Sequence, residues 1–237
     1  MDILPEKLNV ENIIYGNIIN SKFTIIESFP SSQNYNKIFI KYNNSNSNDS
    51  LIFTYLVENV NWKFLPKIWF DIDKYNNRNV TILFENLNDE YVINFINMIE
   101  KIEKNIIEKV KCNFKKIVKL KNMCNIKDNK VYLNNVKIKN DYNDRNIINS
   151  KIYLKESNGS DLIINYETIS RKYFHVIATI HLIGIYIKQY ESYIEIFPDL
   201  YLNESILYKI KQSEKLPQNK SSLINQELNI DDNDYDG

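Results

Sequence analysis

Along the first third of the chain, hydrophobic and polar residues alternate with a period of two. Asn12–Tyr15, Lys22–Glu27 (KFTIIE) and Lys37–Tyr42 (KIFIKY) open it. The last sets Lys37, Phe39 and Lys41 against Ile38, Ile40 and Tyr42, which predicts a half-buried sheet. Leu51–Val57, Ile68–Ile72 and Val80–Phe84 complete an N-terminal group of strands, with Pro66 limiting where a ladder can run. SFPSSQNYN and the wholly polar NNSNSNDS, Asn43 to Ser50, predict loops, the second exposed and disordered.

The period then lengthens. In NDEYVINFINMIEKIEKNIIEKVKCNF, Val92, Phe95, Ile96, Ile99, Ile102, Ile106 and Val110 recur at three- and four-residue steps, leaving Glu100, Lys101, Lys104 and Lys109 off the stripe. This predicts a helix at about 89–111, on the order of 35 Å long. Asn88 is the expected N-cap, with Asp89 and Glu90 in the first turn. Lys109, Lys111, Lys115 and Lys116 crowd the far end, where the helix dipole favours cations.

Period two returns after the helix. LNNVKIKNDYND predicts a strand and turn, and Ile147–Lys155, Asp161–Tyr166, Phe174–Lys188 and Ser192–Phe197 predict further strands, the first two joined at Asn158-Gly159. FHVIATIHLIGIYIK predicts a long buried strand bulged at Gly184, although periodicity alone leaves a helix open. A short helix from about Asn203 to Gln212 is expected to close the fold. From Ser213 the chain turns polar, and Glu227, Asp231, Asp232, Asp234 and Asp236 face no basic residue. The expectation is a single β-rich domain over 1–212 and a flexible acidic tail over 213–237. The fold class expected is α+β, mainly β: an elaborated oligonucleotide-binding-like barrel or sandwich with one long central helix.

Composition narrows the function classes. With 237 residues, 43% hydrophobic and 25% charged, the chain can bury a core. Its formal net charge is +0, so charge layout rather than overall charge must carry any polyanion recognition. Seventeen Tyr and 11 Phe stand against 4 Gly, a bias that also interleaves Lys and aromatics by chance. No basic stretch followed by an apolar run opens the chain, and no window approaches the roughly 18 apolar residues of a membrane span, so a soluble, non-secreted protein without a membrane partner is expected. Cys112 and Cys124 suit a reducing compartment.

Three constellations carry the candidate chemistry. The first is the basic run through Lys111, Lys115, Lys116, Lys119 and Lys121, which can bind a polyphosphate backbone with counterion release. Its bland reading is a solvated helix end. The second is aromatics beside cations on predicted strands: Phe39 between Lys37 and Lys41, Trp62 before Lys63, Trp69 near Lys67, and Tyr173 after Arg171 and Lys172. Exposed, such rings stack unpaired bases; buried, they are core. The third is the acidic tail, able to dock on a basic partner or merely to solubilise.

Catalysis finds little support. The spacings of Cys112 and Cys124 and of His175 and His181 miss the close pairings of zinc sites. Asp71 and Asp73 are a carboxylate pair that alone identifies no nuclease. No phosphate loop, dinucleotide glycine pattern or nucleophile elbow is present. A binding protein without cofactor or metal is the expectation, not an enzyme.

WFDIDKYNNRNVTILFENLNDEYVINFINMIEKIEKNI, VIATIHLIGIYIKQYESYIEI and LNIDDNDYDG resemble the strand-to-helix centre, late strands and acidic end of the single-stranded-DNA-binding proteins of poxviruses and other large nucleocytoplasmic DNA viruses. The resemblance covers residues 50 to 237 loosely. It implies a sequence-independent binder of single-stranded DNA, or RNA, acting in replication, recombination or repair in the cytoplasmic viral factory. Its implied partners are replication proteins met through the tail and other copies along the strand. A viral structural or protein-interaction module is the alternative.

Overall fold

Two 17-residue strands, Tyr173–Gln189 and Tyr193–Lys209, form an antiparallel hairpin to which the other strands attach. The first is rich in β-branched residues, and the two pair continuously except at two register shifts, between Thr179 and Ile180 and between Leu182 and Gly184. The second shift is the bulge expected at Gly184. A Cβ there would lie 2.3 Å from the Ile38 carbonyl oxygen, so only glycine lets the neighbouring strand approach.

The computed structural model describes residues 3–22, 34–44, 47–55, 65–72, 78–138, 150–155, 161–163 and 166–210. The strands are β1 (Ile13–Lys22), β2 (Asn34–Asn44), β3 (Ser47–Asp49), β4 (Leu51–Thr54), β5 (Lys67–Ile72), β6 (Arg78–Phe84), β7 (Ile117–Leu120), β8 (Cys124–Lys127), β9 (Lys130–Lys137), β10 (Lys151–Lys155), β11 (Asp161–Ile163), β12 (Tyr173–Gln189) and β13 (Tyr193–Lys209). The helices are α1 (Glu90–Phe114) and the single turn α2 (Tyr166–Ile169).

Strands β5, β6, β9, β13 and β12 close a barrel, since each pairs with the next and β12 pairs back onto β5. Taken in chain order, the ring runs first, second, third, fifth, fourth, and only the third-to-fifth contact, β9 with β13, is parallel. This is a Greek-key barrel of the oligonucleotide-binding type. The long helix α1 lies between the second and third barrel strands. Phe95 explains its position: its ring stacks on Phe84 of β6 at 4.8 Å and meets Tyr55 and Phe53 at 6.0 and 6.2 Å. Val92, Phe95, Met98, Ile99, Ile102, Ile106 and Val110 are all buried, so α1 is fixed by its apolar stripe and not by chain order.

Beyond the barrel, β12 carries β4 and β2 along the same edge that holds β5, and β2 carries β1 and β3. The other edge of β13 carries β7, β9 and β10 in succession, all parallel.

Several expectations need correction. Asn43 to Ser50 is not a disordered loop throughout: Tyr42, Asn43 and Asn44 pair with Asp49, Asn48 and Ser47 as a small polar hairpin, because a strand hung on the outside of a sheet needs ladder bonds and not apolar side chains. Over its described part the helix expected at Asn203 to Gln212 is strand: β13 runs to Lys209, Glu204 to Lys209 pair residue by residue with Thr179 to Phe174 of β12 beyond the bulge at Asn203, and Ser205 and Leu207 are buried two residues apart. The N-cap of α1 is Asp89 and not Asn88, which donates its N–H to the Asn86 side chain. The helix continues to Phe114 and stops where Lys115 turns left-handed at φ 51° and donates its N–H to the Lys111 carbonyl. The basic stretch after it, unassigned in sequence, forms β7 and β8. The β10–β11 hairpin pairs as expected, Lys155 opposite Asp161, although its Asn158-Gly159 turn lies outside the described residues. Outside them too lie most of Lys22–Glu27, the candidate residues Trp62 and Lys63, and the acidic tail.

Candidate nucleic-acid interface

The β12–β13 hairpin has two unlike faces. Ile185, Ile187, Ile194, Ile196, Leu200 and Leu202 point into the core and are buried. The alternate residues point outward, and register shows which of them meet. Lys188 lies opposite Glu195, which faces Lys119 of β7. Tyr186 lies between Phe197 and Lys37 of β2, and Gly184 between Asp199 and Phe39. His181 is opposite Tyr201, whose other neighbour is Lys137 of β9. The face therefore collects lysines from β2, β7, β9 and β12 around a column of aromatic rings.

Cation-to-ring contacts run along its whole length. The Lys119 Nζ lies 4.0 Å from the centre of the Tyr193 ring, and Lys188 5.1 Å from that of Tyr190. Those two tyrosines stack on each other at the hairpin tip, 4.4 Å apart and 16° from parallel. Lys116 donates to the Tyr190 carbonyl at 2.9 Å, which ties the helix end to the tip. Lys37 lies 4.5 Å from the Tyr186 ring and 4.8 Å from that of Phe39, which is 43% exposed. Lys137 lies 5.3 Å from Tyr186 and 5.5 Å from Tyr201.

In the middle of the face Asp199, 0% exposed, accepts from Lys37 at 2.6 Å and from Lys137 at 2.7 Å. Burial pushes its carboxyl up, but Lys137 and Lys37 outweigh that and hold it below the usual carboxylate range. Burial likewise pushes Lys37 down, and Asp199 with the Tyr186 hydroxyl, which accepts from Lys37 at 3.1 Å, turns the balance upward. Asp199 and Lys37 are therefore both charged at neutral pH.

The candidates named from sequence separate into groups. Phe39, Lys41 and Lys37 of β2 share the outer face with Lys119, Phe39 and Lys41 being exposed. Lys37 is committed to Asp199. Lys111, Lys115 and Lys121 are exposed at the adjoining helix end and after β7, and Lys116 is half-buried. Trp69 and Tyr173 sit at the opposite end of β12, paired across the ladder with rings 4.4 Å apart, next to Lys172 and to Arg171, whose N–H reaches the Phe70 carbonyl. Burial pushes the Tyr173 hydroxyl up to about 12. This half-buried pair is a separate cluster, with almost the full strand between it and the lysine band.

Sequence reasoning missed Tyr186, Lys188, Tyr190, Tyr193, Lys137, Asp199 and Tyr201. The signal was present in IYIKQYESYIEI: Tyr186 and Lys188 alternate with Ile185 and Ile187, as Tyr193 and Glu195 do with Ile194 and Ile196. Among the described residues no group of three or more His, Cys, Asp and Glu side chains is arranged to hold a metal ion. The chain matches no protein-family model and no curated protein sequence.

Proposed function

We propose that this protein binds single-stranded nucleic acid without sequence preference, through the outer face of β12, β13, β2 and β7. The observation that carries the reading is the meeting of the Lys111 to Lys121 band with stacked Tyr190 and Tyr193 at the hairpin joining the fourth and fifth barrel strands. In oligonucleotide-binding barrels that connection is one of the elements that grip the strand. The division of labour follows from chemistry: Lys41, Lys111, Lys115, Lys119, Lys121 and Lys188 neutralise phosphates, and Phe39, Tyr190, Tyr193 and Tyr201 offer rings to bases. Such contacts carry no base code, so the binding is sequence-tolerant and the protein is a binder rather than an enzyme. A role in viral DNA replication, recombination or repair in the host cytoplasm follows from the sequence resemblance alone and belongs to the same proposal, as does docking of replication proteins on the acidic tail.

Fluorescence anisotropy with labelled oligo-dT and a matched duplex tests it. Tight binding to the single strand, weakened by salt and much weaker for duplex, is the expected result. No single-strand binding below about 10 µM at low salt rejects the reading, because even nonspecific association reaches roughly 1–100 µM.

A second reading, a protein-interaction module, draws on β1, a sheet edge that exposes Ile14, Ile18 and Ile19. Concentration-dependent self-association without any nucleic-acid binding would favour it.

A further inference from the structure

The outer edge of β1 reads the same in both directions. Its register on β2 sets Ile14 opposite Lys41 and Ile19 opposite Lys37, on the outer side of the sheet, and Tyr15 opposite Ile40 and Ile18 opposite Ile38, on the inner side. Tyr15 marks that inner side, since its hydroxyl donates to the Asn105 side chain of α1 at 2.6 Å. Between the two halves Gly16 and Asn17 stand against the single residue Phe39. In an unbulged strand Ile14 and Ile19, an odd number of residues apart, would point to opposite faces; the extra residue puts both outside. From Ile14 to Ile19 the order is therefore outer, inner, bulge, inner, outer, with a large apolar side chain at each position beside the bulge.

A second observation concerns the same strand. Ile14, Ile18 and Ile19 are 37%, 45% and 42% exposed, and among the described residues β1 ends the sheet, with β2 on one side only. No charged residue or proline stands between Ile13 and Ser21. Sheet edges usually carry such residues to keep other strands away. The bulge alone serves that purpose here, because it turns the edge against the twist of an ordinary partner strand. A strand with the same bulge at the same place is not turned away.

From this pattern we infer that β1 pairs antiparallel with β1 of a second copy of this chain, about a two-fold axis through the Gly16–Asn17 bulge. Ile14 of each copy then lies opposite Ile19 of the other on the outer side, and Tyr15 opposite Ile18 on the inner side, so every exposed isoleucine meets an apolar side chain on its own face. The uncharged edge brings no like-charge repulsion to such a pair and offers a charged partner nothing to recognise. An axis perpendicular to the sheet keeps the outer sides of both copies on one surface. The inference goes beyond the single-strand reading and is independent of it: the mass of the free protein tests one, and anisotropy with oligo-dT tests the other.

The test is sedimentation velocity without nucleic acid, from about 1 to about 100 µM, where mass action populates a reversible dimer. The parent should move from the chain mass toward twice that mass across this range. Two double variants then test the register: I14E/I19E sets like charges opposite each other at both ends of the junction, and I14K/I19E sets opposite charges there. Both change exposed positions, so both are expected to fold, with melting temperatures within a few degrees of each other. I14E/I19E should be monomeric throughout, and I14K/I19E should dimerise at least about tenfold more tightly than it, an advantage that shrinks as salt rises. A parent that stays monomeric overturns the inference and leaves the edge to another protein or another segment of this chain. A dimer formed equally by both variants, or by neither, overturns it as well, because only the antiparallel pairing of Ile14 with Ile19 tells the two apart.

Discussion

The same two strands present two unlike surfaces, and the contrast separates what folds this protein from what it offers a ligand. Facing inward, β12 and β13 give an unbroken wall of Ile and Leu, against which α1 and the Phe53, Tyr55, Phe84 and Phe95 cluster are packed. Facing outward, the intervening positions include Lys188, Glu195, Phe197, Asp199, His181, Tyr186, Tyr193 and Tyr201, with an ammonium group near each of those tyrosine rings. Aromatic content does not tell the sides apart, since both are rich in rings. What tells them apart is parity along the strand, and parity is reset at the Gly184 bulge. The inner side owes its energy to area removed from water and is insensitive to salt; the outer side owes its attraction to charge and weakens as salt rises.

The contrast can be broken most severely from the inside. Phe95→Ala removes the ring that joins α1 to the barrel and should destabilise by about 4 kcal/mol, lowering the melting temperature by roughly 10 °C. Thermal unfolding by circular dichroism measures it. Gly184→Ala comes next: the 2.3 Å approach to the Ile38 carbonyl involves backbone, which no side-chain rotation relieves, so a loss of about 3 kcal/mol is expected in urea unfolding.

A third effect links the sides through pH. Burial lowers the His181 pKa to about 4, with Asp199 opposing that shift. The unfolded chain takes up this proton near pH 6.5 while the folded protein resists until about pH 4, so the contribution to stability present at neutral pH is lost as pH falls through that window. Between pH 7 and pH 5 the loss should be about 2 kcal/mol, and His181→Gln should remove it. A stability that stays flat over this range in the parent would deny His181 its burial.

The smallest expected change in folding accompanies a clear change in binding. Tyr190→Ala and Tyr193→Ala, at the half-exposed tip, should each weaken oligo-dT binding by roughly tenfold while leaving the melting temperature within a few degrees. Parallel loss of both properties would place these rings with the core.

Much of the inner side was legible in the sequence. The α1 stripe and the alternation of KIFIKY, IWFDI and VTILF need only a period and its phase to be assigned. The long run at Phe174 could be read as a bulged strand because Gly184 interrupts a β-branched series. The end of β13 was misread because ESILYK is too short to reveal its period without the partner strand that fixes it, and β7 and β8 were missed because strands of four residues, IVKL and CNIK, are too short to show a period at all. The outer side was half legible. Lys37, Phe39, Lys41 and Lys119 were picked out as cations and rings, but the neighbours of Lys37 and Phe39 come from strands more than a hundred residues away in sequence, and pairing across such distances is set by the fold of the sheet. Asp199 in particular looks in sequence like any surface acid.

The account turns on the outer face being the side that meets nucleic acid, and a charge-matched comparison tests that most directly. Lys41, Lys119 and Lys188 lie on this face, whereas Lys7, Lys101 and Lys104 are exposed on the N-terminal segment and on α1, which contribute no strand to it. Reversing either trio to Glu changes the net charge equally, so long-range attraction falls by the same amount in both proteins. Oligo-dT titrations over a range of salt should show the face variant losing affinity by at least about a hundredfold, with a salt slope shallower by about 2, and the control variant within severalfold of the parent with its slope kept. Equal losses in the two variants, or a larger loss in the control, would contradict the assignment of this face.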